Sequence, residues 1–489
     1  MTSEGAKKSL AARWHSLSPA ARASFAYILC GMLQKGIAVL VVPVYTRIMD
    51  ADAYGVYTVF QSWYSLLFVF TSLGLANYVF NNGMLKYKDD RDGFSSAMLG
   101  LSSAVTLVFV AVFLLFPSFW SDLLGLAAPL VFLLLARCLI TPSYEFWSAR
   151  LRYEFRYKGV VALTLAFTFL IPAVSIPAIL LSDDKAAAAL VCQTLVMIVV
   201  YAVPLASILR KNRKLFNGKY WLYALRFNLP LIPSMFATLA LQQMDRIIIA
   251  GTSGDAPAAI YAVACSVGSV AMFVYSALDQ AYRPWFYQEM EKSRCFSADG
   301  VARLLVLVVG TLCCVVALFA PEIIRVFAPV EYFDAAYAVA PVAASTVALM
   351  AFSIFITVEY YFEETRLIPL VSIVAACANY GLNVLLIPRF GYLTAGYTTI
   401  ACYAMLALGH AFLCRRTIDR HIPGRAPLAP GRLLGVAGSI VGGILAVQLL
   451  YPWLVVRVVL LVGVSILVVM NRKKLTRAFG MLRRGDIST

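Results

Sequence analysis

Charge is what this sequence has least of. Asp, Glu, Lys and Arg make up 13% of its 489 residues, where a soluble domain carries about a quarter, so a water-soluble multi-domain enzyme is excluded. Signatures of soluble catalysis are missing too. The chain has no GxxxxGK[ST] phosphate loop, no HExxH pair and no GxSxG elbow, and nothing in it implies a cofactor. Its 10 Cys form no CxxC pair. Most sit inside apolar runs, where cysteine acts as a small apolar residue, and their spacing suggests neither disulfides nor a metal site. What is abundant is apolar: 61% hydrophobic residues and a mean hydropathy of +0.81, too much for a disordered chain. The runs are about 20 residues long without period-2 alternation, the pattern of membrane-crossing helices rather than barrel strands.

Charged punctuation divides these runs into fourteen expected spans: 23–45, 54–80, 95–116, 123–143, 159–181, 186–209, 227–250, 258–282, 304–320, 336–361, 367–388, 394–414, 433–451 and 455–470. The fold class expected is an all-α integral membrane protein. It has two six-helix bundles related by a parallel pseudo-repeat, plus a C-terminal helical hairpin. The polar, basic segment Met1 to Arg22 precedes a first span long enough to be retained, so no cleavable signal peptide is expected.

Loop charge sets the orientation. With the N-terminus in the cytoplasm, the outer loops hold only Arg47, Lys185, Arg325, Arg389 and Arg457 of the 41 Lys and Arg. Lys35, Arg137 and Arg246 fall within spans, and all the others lie on the inner side. One missed span would invert every later loop and destroy this asymmetry. The net charge of +16 is therefore a membrane-orientation signal, and nucleic acid is not an expected partner. Both termini are expected in the cytoplasm. The basic stretch 210–226 separates an N-terminal bundle, 1–209, from a second, 227–414. A proline-bearing linker, the hairpin and a basic tail occupy 415–489.

A short pattern recurs in corresponding places of the two halves. Thr46-Arg47-Ile48-Met49 precedes Tyr54-Gly55-Val56-Tyr57, and Asp245-Arg246-Ile247-Ile248 precedes Ile260-Tyr261. Six spans per half give both copies the same topology, a parallel repeat about the membrane normal. At these residues the chain resembles bacterial polysaccharide-unit flippases of the Wzx type. Pro43-Val44-Tyr45-Thr46-Arg47-Ile48-Met49 with Ala53-Tyr54-Gly55-Val56-Tyr57 is similar to that family's opening signature. Gln243 to Gly251 with Ile260-Tyr261 is similar to the matching segment of its second half, and Leu85 to Asp90 with Phe94-Ser95-Ser96 is of its inner-loop type. The resemblance places the chain in the multidrug/oligosaccharidyl-lipid/polysaccharide (MOP) exporter superfamily. It implies transport of an undecaprenyl-pyrophosphate-linked oligosaccharide from the inner to the outer leaflet by alternating access, in a bacterial cytoplasmic membrane. It also implies a lipid-linked substrate among membrane lipids, with glycosyltransferases and a polysaccharide polymerase as partners. Thr252 to Pro257 departs from the family pattern and reads as an irregular loop at the outer side.

Ionisable residues inside spans are costly and mark functional candidates. Lys35, Arg137 and Arg246, with Arg47 at a span end, are the candidate cavity cations for a pyrophosphate or an acidic sugar. Lys35 shares a helix face with Gly31 and Ala38, which leaves room beside it. The bland alternatives are snorkelling and ion pairing, and Arg47 reads best as a loop cap beside Asp50 and Asp52. Asp245, Asp279 and Glu359 are the ion-coupling candidates. Against them, Asp279 has Arg283 four residues on, and Glu359 has Glu363 at the same spacing. His410 lies in span twelve, either packed or carrying protons. The chain is expected not to be an enzyme. Two other readings stay open: an ion-coupled drug or metabolite exporter of the same superfamily, and a membrane polymerase or ligase of the polysaccharide pathway.

Overall fold

A computed structural model describes residues 19–291, 298–422 and 427–470. Most of the basic N-terminal segment, with His15, and the basic tail after residue 470 lie outside the described residues, as does the centre of the proline-bearing linker. All regular structure among the described residues is helical. In chain order the α-helices are α1 (Pro19–Ile48), α2 (Ala51–Ser72), α3 (Val79–Lys86), α4 (Arg91–Leu115), α5 (Pro117–Leu124), α6 (Ala128–Tyr153), α7 (Tyr157–Leu181), α8 (Lys185–Lys211) and α9 (Gly218–Asn228). There follow α10 (Ile232–Ser253), α11 (Asp255–Gly268), α12 (Val270–Glu291), α13 (Ala298–Leu318), α14 (Ala320–Phe327), α15 (Ala335–Tyr361), α16 (Ile368–Phe390), α17 (Thr394–His421), α18 (Pro430–Ala446) and α19 (Leu454–Met470). The chain divides into two compact units, Met1–Phe236 and Ala237–Thr489.

Eleven helical segments among the described residues are long and apolar enough to cross a membrane, and twelve if one bent pair counts as a single span. The fourteen read from sequence differ for identifiable reasons. Helix α2 is 22 residues long, about 33 Å at 1.5 Å per residue, but Gln61, Ser62, Trp63, Tyr64 and Ser65 interrupt its apolar run. It stops at Leu73 and Gly74, both left-handed (φ 51° and 60°), so the second expected span ends well before residue 80. The expected eighth span is the pair α11 and α12, bent by 43° after Gly268. Of α19, Leu454–Gly463 is a shorter apolar helix. The irregular loop expected over 252–257 is far tighter: α10 runs through Ser253, α11 begins at Asp255, and Gly254 alone makes the turn at φ 101°. Only glycine adopts that backbone without strain.

In unit 1, α6 packs against α2, α4 and α8, while α7 lies between α1 and α8. Phe60, Phe113, Leu134, Leu135, Cys138 and Leu190 form a dry core among them. Aspartates start several helices by accepting orphan backbone N–H groups: Asp50 from Ala53 at 2.8 Å, Asp90 from Gly93 at 2.9 Å and Asp184 from Ala187 at 2.9 Å.

Unit 2 is built around α15, which is apolar all round and buried nearly all round, as such a helix must be. Small residues let its neighbours approach closely. A Cβ on Gly268 would lie 2.7 Å from Val342 Cγ1, and one on Gly396 would lie 2.9 Å from Pro341 Cγ. Helix α18 packs on α13 and α15. The turn after it is tied down by Tyr451, whose hydroxyl donates to the Ala336 carbonyl at 3.1 Å. Arg457, read from sequence as an outer-loop residue, sits in the first turn of α19 and is 3% exposed. It donates to both carboxylate oxygens of Glu322 on α14, at 2.6 and 2.7 Å, and to the Leu318 carbonyl at 2.8 Å. The C-terminal hairpin is thereby clamped to the rest of unit 2.

Candidate functional site

Among the described residues, polar side chains inside apolar helices collect at three main places. The first is in unit 1. Arg137 on α6 is 2% exposed. Its Nε–H donates to Thr194 Oγ1 at 2.7 Å, Nη1 to Gln61 Oε1 at 3.1 Å, and Nη2 to the Leu190 carbonyl at 2.9 Å and to Gln193 Oε1 at 3.3 Å. The guanidinium lies 4.8 Å from the centre of the Phe60 ring. Gln193 in turn donates to the Tyr57 hydroxyl at 2.9 Å, and Gln61 donates to Gln193 Oε1 at 3.1 Å. Every one of these partners is neutral, and no carboxylate comes within ion-pair distance of Arg137 among the described residues. Hydrogen bonds therefore satisfy its donors while its charge stays uncompensated. Arg137, Tyr45, Tyr57, Gln61, Tyr64 and Gln193 line a cavity of about 380 Å³.

Helix α1 supplies the opposite wall of that cavity through Gln34, Ile37, Ala38 and Val41. Lys35 lies on the exposed part of α1 and is not among the lining residues. The space beside Gly31 and Gly36 is open, with nothing within 4 Å of a Cβ built on either. Arg47, at the end of α1, is exposed and donates back to the Pro43 carbonyl at 2.7 Å. Its neighbour Asp50 is the N-cap of α2.

The second cluster is in unit 2. Asp245 on α10 is 4% exposed and accepts hydrogen bonds from three other helices. Tyr261 of α11 donates at 2.9 Å, Asn383 of α16 at 2.6 Å and Thr399 of α17 at 2.5 Å. Asn383 also receives Thr398 and donates to Asn379 at 3.2 Å. Arg246 is half-buried, with Nη1 donating to Gln243 one turn earlier at 3.2 Å. Asp245, Arg246, Gln242, Gln243 and Tyr261 line a cavity of about 200 Å³.

The third is a pair. Glu359 on α15 and His410 on α17 are both fully buried, with His410 Nδ1 2.9 and 3.1 Å from the two carboxylate oxygens. His410 Nε2 has no hydrogen-bond partner among the described residues. Helix α15 ends at Tyr361 and Glu363 adopts φ 58°, so Glu363 is not one helical turn from Glu359 and the i,i+4 repulsion read from sequence does not operate. Asp279 on α12 is bound to Arg283, 2.9 Å away and one turn on, and also receives the Ser353 hydroxyl.

Arg137 is thus joined to Gln61, Gln193 and Thr194, none of which the sequence singled out, and through Gln193 to Tyr57, which the sequence named only within its recurring pattern and family signature. Asp245 is joined to Tyr261, Asn383 and Thr399, and Glu359 to His410. Lys35 and Arg47 lie outside both cavities. The overlooked signal was amide and hydroxyl residues placed inside apolar runs, which in a bilayer face other helices or a cavity.

Residues 20–288, more than half of the chain, match the family model described as polysaccharide biosynthesis protein. The chain belongs to that family of membrane proteins. Its fold is that of MOP-superfamily transporters. It superposes on a lipid II flippase, MurJ, in an inward closed conformation with a TM-score of 0.64 and 12% identity, over 91% of this chain and 99% of that one. A multidrug resistance MATE family transporter in its inward-facing conformation gives a TM-score of 0.55 and 14% identity, over 79% and 95%. A MOP superfamily transporter from Pyrococcus furiosus gives 0.54 and 14%, over 82% and 96%. A comparison with curated protein sequences finds no match.

Proposed function

We propose that the protein is a flippase for lipid-linked oligosaccharides. It carries undecaprenyl-pyrophosphate-linked units from the inner to the outer leaflet of a bacterial cytoplasmic membrane, with both termini in the cytoplasm. The observation that carries this reading is Arg137, a buried guanidinium with neutral partners only, on the wall of a 380 Å³ cavity. Moving a diphosphate through a low-dielectric interior costs several kcal/mol per charge unless a fixed cation offsets it. A guanidinium pre-oriented by four hydrogen bonds supplies that charge with little reorganisation. Tyr45, Tyr57 and Tyr64 around it provide aromatic faces and hydroxyls suited to a sugar. Arg246, which lines the unit 2 cavity, and Lys35, on the exposed part of α1 whose Gln34, Ile37, Ala38 and Val41 line the Arg137 cavity, are further candidate cations for the substrate, and Arg47 caps a helix end. Membership of the polysaccharide biosynthesis family supports the substrate class.

On this reading the bundles 1–209 and 227–414 rock about the basic stretch 210–226 in alternating access. Glycosyltransferases on one side supply the substrate and a polymerase on the other consumes it. The chain's own contribution to energy coupling falls to a buried acid, and Asp245, held by three neutral donors, is the first choice over Glu359 and over Asp279, which Arg283 already neutralises. Asp245 is also the one observation that favours the second reading, an ion-coupled exporter of small molecules. Its cavity of about 200 Å³ is smaller than the sugar–diphosphate substrate requires.

The test is leaflet accessibility of the lipid-linked oligosaccharide in cells, comparing wild type, a deletion and Lys35→Ala. A flippase predicts that the deletion traps the sugar on the cytoplasmic side, and that Lys35→Ala does so in part at normal expression. Unchanged outer-leaflet sugar in the deletion, with no second flippase present, transfers the case to small-molecule efflux.

A further inference from the structure

The largest cavity in either site described above is not the largest in the chain. A cavity of about 540 Å³ lies in unit 1 where α6 and α8 end and α7 begins. Its character differs from that of the Arg137 site. One wall is apolar and aromatic, formed by Phe146, Trp147, Leu151 and Ile208. The rim carries four cations: Arg150, Arg156, Lys158 and Lys211.

Two carboxylates face these cations. Asp92 receives Arg150 and lies 3.9 Å from Lys211, while Glu154 lies 3.0 Å from Arg150 and 3.6 Å from Arg156. Lys158 has no ion-pair partner among the described residues, so the rim keeps a surplus of positive charge. The first turn of α7 contributes as well. Tyr157, Lys158 and Gly159 line the cavity, and Arg156 at the N-cap makes no side-chain cap. The uncapped amide groups and the positive end of the helix dipole thus add to the cationic rim.

An ordinary basic loop at a membrane surface needs neither a cavity nor an apolar wall. Here both adjoin the cations, at the turn between two membrane-crossing helices. We propose that this cavity is a binding site for the phosphate headgroup of a membrane lipid. Lys158, Lys211 and Arg156 contact the phosphate oxygens, and Trp147, Leu151 and Ile208 hold the first part of the acyl or prenyl chain. Free phosphate would use the cations but leave the apolar wall unmatched. Two lipids share the required chemistry: an anionic phospholipid of the bilayer, and the pyrophosphate end of the lipid-linked sugar before it enters the Arg137 cavity. The second source rests on the flippase reading, whereas the site itself does not.

Native mass spectrometry of the purified full-length protein separates the cases. Three probes are used: phosphatidylglycerol, undecaprenyl pyrophosphate and inorganic pyrophosphate. Wild type is compared with Lys158→Ala/Lys211→Ala and with Ser207→Trp, which fills the cavity while leaving every cation in place. Lys158 and Lys211 are exposed, so the double variant is expected to fold, and its melting temperature checks this. Each removed cation should weaken lipid binding about fivefold, and Ser207→Trp should abolish it. Loss confined to phosphatidylglycerol identifies a bilayer-lipid site, and loss confined to undecaprenyl pyrophosphate identifies a loading site. Either outcome supports the proposal. Lipid binding equal in all three proteins overturns it, as does inorganic pyrophosphate binding as tightly as the lipids. That failure would leave the flippase reading intact, since leaflet accessibility tests it separately.

Discussion

Replacing Arg137 by Gln removes a charge and the guanidinium donors to Gln61 Oε1 and Thr194 Oγ1, while the Leu190 carbonyl keeps the Thr194 hydroxyl at 2.7 Å. Unsatisfied buried groups cost about 1–3 kcal/mol each, so Arg137→Gln should lower the melting temperature in detergent. Arg137→Lys keeps the charge but cannot span Thr194, Gln61 and Leu190 at once, and should fall between wild type and Gln in both stability and export. A lysine variant exporting no better than glutamine would show that geometry rather than charge is what matters. The sequence identified Arg137 because an arginine inside an apolar run stands out. Its partners did not stand out: Thr194 is 57 positions away and Gln61 is 76, and nothing local relates them. The same holds for His410, 51 positions from Glu359. A buried histidine was visible in the sequence, but its carboxylate partner was set by how α15 and α17 pack.

Among the elements, α14 and α19 illustrate a contact with a pH signature. The Arg457 guanidinium holds the Glu322 carboxyl below the usual carboxylate range. A carboxyl lowered in the folded state adds stability above its unfolded value of about 4.3, and that contribution is lost as pH falls through the lower folded value. Thermal melts should therefore show the C-terminal hairpin loosening only below about pH 4.3. Glu322→Gln should be destabilised at neutral pH and should lack this acid dependence. An unchanged acid limb in the variant would contradict the assignment. At the α11–α15 and α15–α17 crossings, Gly268→Val and Gly396→Leu insert atoms where a Cβ already falls within 3 Å of a neighbour. Each should cost about 1–3 kcal/mol through overpacking, read as a lower yield of folded protein and a lower melting temperature. The elements were legible wherever about 20 apolar residues ran uninterrupted. The sequence extended α2 too far because aromatic residues continue past it, while the backbone turns at Leu73 and Gly74 through left-handed conformations that composition does not reveal. Gly254 hid a one-residue turn inside a polar stretch for the same reason.

For the whole molecule, the membrane class and the helical fold follow from the scarcity of charge and the length of the apolar runs. The MOP-type architecture then rests on the superposition with solved transporters. Between them lies the functional claim, that a cation buried in unit 1 offsets the charge of a lipid diphosphate in transit. Purified protein in vesicles, loaded with a lipid-linked oligosaccharide on one leaflet, tests that claim most directly. The fraction of sugar that becomes accessible on the other leaflet is compared for wild type, Arg137→Gln and empty vesicles. The account predicts rapid appearance with wild type and a rate at least about tenfold lower with Arg137→Gln, since each 1.4 kcal/mol of lost charge stabilisation is a factor of ten. Equal rates for wild type and a folded Arg137→Gln would contradict it.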